Sequence, residues 1–400
     1  MAGTSTGPGP GPSLLSAGEA ALGPAVELRR RIHAHPEVGL ELPGTQAIIL
    51  QALDGLGLEV STGQAVTSVV AVLQGDRPGP TTLLRADMDA LPMPENTGLP
   101  FASQVDGAMH ACGHDAHVAM LVGAAHVLAE RRAELPGRVV FMFQPGEEGH
   151  GGAEAMLAEG LLERYGPMDR AFAIHISPTQ ASGSMFTRVG AIMASADQFQ
   201  VTVTGRGGHA SAPHDAVDPI PVACEIVTSL QVMVTRRVPI FDPAVVTVSR
   251  VTAGTTSNVI PETAVLEGTV RALSETTRAL VLERLAQVVE HIALAHLCTA
   301  ELTSTPVRFP VLENDAEAAR RVIAVASAVL GPERAVEMAS PIMGAEDWSY
   351  VLRRVPGAMA FLGASPPGVE HPAPNHSNRM LIDEGAMAAG IAMHAAMALA

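Results

Sequence analysis

The sequence predicts an α/β protein: a mostly parallel sheet with flanking helices, into which a smaller ferredoxin-like βαββαβ domain is inserted. Three observations lead there. At 400 residues, 47% of them hydrophobic, the chain exceeds what one core usually organises, so two domains are expected. From about Leu14 to Arg188 short β-branched runs alternate with longer helical ones, the rhythm of parallel strands joined by helices. The middle third changes rhythm, and the first pattern resumes after Thr305-Pro306.

In the first part, apolar runs at 68–73, 82–85, 139–143 and 171–176 are expected strands, and 115–132 has the spacing of a largely buried helix. In the middle, a strand at 199–204, a helix at 218–234, strands at 245–251 and 265–271, a helix at 274–297 and a strand at 299–303 give the order β-α-β-β-α-β. Ser274 stands where an N-cap belongs, ahead of Leu280, Leu285, Val288, Val289 and Ile292. A helix at 316–330, a strand near 358–362 and a terminal helix complete the larger pattern. The expected division is 14–188 with 305–400 for the larger domain, 189–304 for the inserted one, and 1–13 as a flexible lead-in.

Composition excludes several function classes. With 41 acidic against 25 basic residues, a net charge of -16 argues against nucleic acid and anionic membrane as partners. Three cysteines, Cys112, Cys224 and Cys298, are too few for a disulfide framework and fit a reducing, cytoplasmic compartment. The first residues have neither a basic nor an apolar signal region, and the apolar run at 385–400 is too short to span a bilayer.

The chemistry concentrates just past strand ends. Cys112-Gly113-His114-Asp115 offers a thiolate and an imidazole around a bend, and about thirty residues later Gly146-Glu147-Glu148-Gly149 adds two adjacent carboxylates. Such carboxylates after an apolar strand repel each other unless a cation sits between them. One can ligate while the other acts as a base toward metal-activated water, which reads as a hydrolase centre. Taken singly, Cys112 and His114 fit equally well a buried free cysteine beside a helix cap, and His175 a satisfied core histidine. Asp87 and Asp89 end another strand, where either could ligate or orient imidazoles, and His376 stands in a polar loop. His110 and His117 read as structural or supporting residues.

Together these segments resemble the amidohydrolase branch of the M20 metallopeptidase family, the hippurate hydrolase and N-acyl-amino-acid amidohydrolase group. The resemblance rests on Arg31-Ile32-His33-Ala34-His35-Pro36-Glu37, on Leu84 to Pro92, on Met109 to Asp115 and on Phe143 to Gly149. It continues through Gly205 to Ser211, Ser257-Asn258-Val259-Ile260-Pro261 and Gly344 to Tyr350, in order over nearly the whole chain. It implies a zinc-peptidase-like catalytic domain with an inserted lid or dimerisation domain. It further implies two divalent ions per subunit, Zn²⁺ or Mn²⁺ with Co²⁺ or Ni²⁺ also compatible, held by Cys112, His114, Glu148, His175 and His376, with Cys112 bridging. By the same resemblance Glu147 is the general base, Asp89 supports catalysis, His209 stabilises the oxyanion and touches substrate, and Asn258 and Arg271 bind the substrate carboxylate. The implied enzyme is a homodimer that cleaves N-acyl amino acids to a carboxylic acid and an amino acid. A dipeptidase or carboxypeptidase of the same family is the alternative.

Overall fold

The computed structural model describes residues 10–400, apart from the side chains of 10–13 and 305–307. Residues 1–9 of the expected flexible segment lie outside the described residues, and helix α1 (Pro10–His33) follows directly. The chain divides into two units, a larger one running up to Ile192 with Glu313–Ser340 and Tyr350–Ala400, and a smaller one of Met193–Leu312 with Pro341–Ser349.

Unbroken apolar runs form the sheet of the larger unit. Its strands are β1 (Glu59–Thr62), β2 (Val69–Gln74), β3 (Arg77–Asp87), β4 (Pro136–Gln144), β5 (Arg170–Ser177), β6 (Met185–Thr187), Ala335–Glu337 and Gly357–Gly363. Their order across the sheet is β1-β2-β4-β3-β5, then Gly357–Gly363, β6 and Ala335–Glu337. The centre, β4-β3-β5 and Gly357–Gly363, is parallel, while β1, β2 and β6 bring antiparallel pairs. The last seven residues of β3 and all of Gly357–Gly363 are buried on both faces, as parallel strands under helices require. Helices α1, α2 (Pro43–Leu53), α3 (His114–Glu130), Ala316–Leu330 and Met387–Leu399 contribute to one apolar core with these strands.

The smaller unit has a four-stranded antiparallel sheet in the order Ala244–Ala253, Thr263–Ala272, Ala196–Thr204, Thr299–Phe309. Along Thr263–Ala272 every second residue is buried, the mark of a sheet covered on one face. Helices Pro219–Arg237 and Glu275–Ala295 supply that cover, packing Ile226, Leu230, Val281, Leu285 and Val289 against Phe199, Val201 and Leu266. Asp218 and Ser274 cap them, accepting the N–H of Ile220 and of Thr277, each at 3.0 Å.

Two segments that the sequence pattern assigns to the larger domain cluster instead with the smaller unit. The strand expected to stop at 303 continues to Phe309, carrying residues beyond 304 with it. Pro341–Ser349 joins through the Ala194 N–H, which donates to the Ile342 and Gly344 carbonyls at 3.2 and 2.9 Å.

Candidate functional site

In the larger unit the polar residues past β3, β4 and β5 converge where open parallel sheets commonly carry their sites. Two glycines make the approach possible. Gly113, at φ 86°, turns the chain between Cys112 and α3, and a Cβ there would lie 2.3 Å from the Ile176 side chain. Gly146, at φ 72°, turns it before Glu147, where a Cβ would lie 2.4 Å from Leu40.

Cys112 Sγ lies 3.3 Å from His175 Nε2. His376 Nε2 lies 3.2 Å from Glu148 Oε1, and His114 Nε2 lies 3.9 Å from that same oxygen. Within the larger unit four overlapping sets each present donor atoms within 4.8 Å of one another: Cys112, His114 and His175; Asp87, His114 and His117; Cys112, Glu148 and His376; His114, Glu147 and Glu148. Cys112 belongs to two of them, so a single sulfur can serve two ions.

The donors fit divalent metal on their own chemistry. Both ring nitrogens of His114 and Oε1 of Glu148 are buried and make no hydrogen bond, a costly arrangement unless another partner satisfies them. Burial and the Glu148 carboxylate push the Cys112 thiol up, so a cation is what would hold it as thiolate. Burial also works against a charged His114, yet Asp87, Asp89 and Cys112 outweigh it and raise its pKa well above the imidazole range. The neighbouring Cys112 and Glu148 side chains raise His376 to about 10. Both histidines thus sit where positive charge is favoured. His175 moves the other way, its pKa well lowered by burial and by His117, which leaves a neutral ring with a lone pair to offer.

The surrounding residues hold these donors in place. Asp89 accepts the Glu147 N–H on one oxygen and the Glu148 N–H on the other, each at 3.0 Å, and so fixes the turn carrying both glutamates. Asp87 is fully buried; burial opposes its ionisation, but Arg85 at 2.7 Å and the neighbouring imidazoles hold its carboxyl well below the usual range. His117 Nδ1 contacts Asp87 Oδ1 at 2.5 Å. Asn375 donates to the Cys112 carbonyl at 3.1 Å and reaches Sγ at 3.8 Å. Beside it His376 adopts φ 65°, an uncommon conformation for a residue with a side chain, pinned by its N–H donating to Ala111 O at 2.7 Å. Behind α3, Asp115 pairs with Arg29 at 2.9 Å and His33 at 2.8 Å, securing the first turn that presents His114.

In the smaller unit, His209 and Asn258 come together locally. Gly208–His209 pairs with Val259–Ile260, and the Ala210 N–H donates to Asn258 O at 3.1 Å. His209 is exposed, with Nδ1 accepting the Ser211 N–H at 3.1 Å. Arg271 stands on Thr263–Ala272 opposite Val245, half-buried, its pKa lowered by burial with Asp197 opposing.

Sequence reasoning assigned no role to Arg85 or Asn375. A lone arginine inside the apolar run Leu83-Leu84-Arg85-Ala86 was a usable signal, because a buried charge needs a partner. Asn375 carried none beyond its place next to His376.

Comparison with known proteins adds independent findings. Residues 83–400 match the profile of Peptidase family M20/M25/M40. Thermostable carboxypeptidase 1 of Saccharolobus solfataricus is 37% identical, over 94% of this chain and 94% of that protein. An IAA-amino acid hydrolase of Arabidopsis thaliana is 39% identical over 94% and 84%, and N-acetylcysteine deacetylase of Bacillus subtilis is 39% identical over 87% and 90%. The crystal structure of a dinuclear metal-binding peptidase of the M20 family from Bacillus subtilis superposes with a TM-score of 0.81 at 34% identity, covering 95% of this chain and 98% of that one.

Proposed function

Given that the chain belongs to peptidase family M20/M25/M40, we propose that it hydrolyses the amide bond of N-acyl amino acids, releasing a carboxylic acid and a free amino acid. The observation that carries the reading is the pair of donor sets sharing Cys112, with a second glutamate adjacent to the ligating one.

Cys112, His114, Glu148, His175 and His376 are the residues we assign to hold two divalent ions, with Cys112 shared. When bound, such ions supply Lewis-acid stabilisation of the amide carbonyl and a water acidified toward neutral pH. The shared sulfur favours Zn²⁺, while the imidazole and carboxylate donors also accept Mn²⁺, Co²⁺ or Ni²⁺. Glu147 takes a proton from the attacking water and delivers it to the departing amine nitrogen, so acid and base roles fall to one carboxylate. Asp89 acts through Glu147 and Glu148, whose backbone it grips. His209 donates to the carbonyl oxygen as negative charge develops there. Asn258 and Arg271 bind the carboxylate of the amino-acid half, for which a guanidinium fork is well shaped.

Two further readings belong here. A homodimer through the smaller unit is supported by its edge strand Ala244–Ala253, which leaves Val245 and Val251 exposed beside unpaired backbone. A cytoplasmic setting is supported by three free cysteines. Among the described residues no helix is long and apolar enough to cross a membrane.

The test is release of amino acid from N-acetyl, N-benzoyl and long-chain N-acyl amino acids alongside dipeptides, before and after chelation and metal add-back. Chelation should abolish turnover and add-back restore it. Cleavage of dipeptides alone would transfer the assignment to the peptidase activity suggested by the carboxypeptidase relative.

A further inference from the structure

One buried hydrogen-bond chain in the larger unit runs from a strand arginine to a metal-site imidazole. Arg85 Nη1 donates to Asp87 Oδ2 at 2.7 Å, and Asp87 Oδ1 faces His117 Nδ1 at 2.5 Å. On its other side His117 Nε2 accepts the Ile176 N–H at 2.8 Å, and the Ile176 carbonyl lies 2.8 Å from His175 Nδ1. His175 Nε2 then faces Cys112 Sγ. Arg85, Asp87, His117 and His175 are all buried.

The donors and acceptors leave one consistent arrangement. A backbone N–H only donates, so His117 Nε2 must carry a lone pair, and the proton of the neutral ring sits on Nδ1, shared with Asp87. A carbonyl only accepts, so His175 carries its proton on Nδ1 and keeps Nε2 open toward Cys112. The sheet explains why a side chain is needed here. The β3–β5 ladder ends at the pair Arg85↔Ala173, and three residues further along His117 takes the Ile176 N–H in place of a strand carbonyl. His117 also packs between two imidazoles, stacked on His114 at 5.4 Å and edge-on to His175 at 4.8 Å between ring centroids.

We propose that His117 is a positioning residue that clamps the Ile176 peptide, fixes the tautomer of His175, and thereby supports the Cys112, His114 and His175 donor set selectively over the set of Cys112, Glu148 and His376. It ligates nothing itself, since both ring nitrogens are engaged. The selectivity follows from placement, because His376 stands on a half-exposed loop pinned through Ala111 and Asn375, and that loop meets this chain of bonds past His117, at Cys112 and where Asn375 donates to the Ile176 carbonyl at 3.4 Å. The inference rests on the two-metal reading above, and its test separates the two.

Apoprotein is titrated with Co²⁺, counting bound ions by equilibrium dialysis and following thiolate-to-cobalt absorption. The unmodified protein should bind two ions per chain. His117→Leu should keep one ion at near-normal affinity and bind the other about 10- to 100-fold more weakly. His117→Gln, whose amide offers both a donor and an acceptor, should recover part of the loss. Normal affinity for both ions in His117→Leu, or equal weakening of both, overturns the proposal. Failure of the unmodified protein to bind Co²⁺ sinks the two-metal reading instead. A second measurement needs neither metal nor variant, and so decides the matter even where His117→Leu does not fold: histidine ¹⁵N NMR of the apoprotein should show His117 and His175 as neutral rings protonated on Nδ1. Protonation of either ring on Nε2 alone contradicts the clamp.

Discussion

The two units handle histidine differently. The larger buries six of its eleven, His33, His110, His114, His117, His175 and His394, and leaves His376 exposed at the rim of the donor sets, while the four in the smaller unit, His209, His214, His291 and His296, are all exposed. Burial fixes tautomer and charge, which a metal-site donor needs before any ligand arrives. Exposure leaves a ring to act when substrate supplies its partner. Under the roles proposed above, the larger unit holds a largely preformed centre, and the smaller offers a surface whose polar groups would meet the substrate.

That contrast predicts where substitutions fall hardest. Glu147→Gln should lower kcat by about 10²–10⁴-fold with metal content unchanged, because the proton carrier is lost while the donors stay. Near-normal turnover with full metal occupancy would remove Glu147 from its assigned role. His209→Ala should cost about 10²–10³-fold in kcat and leave the larger unit's metal affinity untouched. A drop in bound metal for that variant would break the comparison, since it would make His209 part of the preformed centre. Arg271→Lys should act mainly on KM, raising it by roughly tenfold as a two-pronged carboxylate contact becomes a point charge. An equal effect on substrates lacking the carboxylate would show that Arg271 does not read that group.

The sequence exposed the preformed centre more fully than its supports. Apolar strands ending in Asp87, Gln144 and Ser177 announce themselves by composition, and the helix at Ala316–Leu330 begins and ends where the pattern places it. Helix α1 was hidden because Gly18, Gly23 and Pro24 interrupt it, yet packing against α3 and the C-terminal helix overrides those local preferences. The donors were legible as residue types at strand ends. Asp87, Asp89 and His117 were legible as supporting residues too, but their pairing was not, since the link from Asp87 to His117 spans thirty positions and depends on which face of α3 meets β3. Spacing encodes helix faces and strand faces, but not which two faces meet.

Acid stability offers the finest test of the contrast between the units. His394, in the C-terminal helix against Phe172, has its pKa lowered to about 3, by burial first and by His117 second. In the unfolded chain the same group titrates near 6.5. Between these values the unfolded chain binds the proton and the folded one does not, so stability is full above about pH 6.5 and declines as pH falls toward 3. From pH 7.5 to 5 this one group should cost about 2 kcal/mol, at roughly 1.4 kcal/mol per pH unit below 6.5. His394→Leu keeps an apolar side chain in that core and removes the proton acceptor, so its urea midpoint should fall less between pH 7.5 and 5 than that of the unmodified protein. His291→Leu, on an exposed face of the smaller unit, should leave the pH dependence where it was. Parallel acid curves for His394→Leu and the unmodified chain would mean that burial of this ring does not govern the larger unit's response to protons.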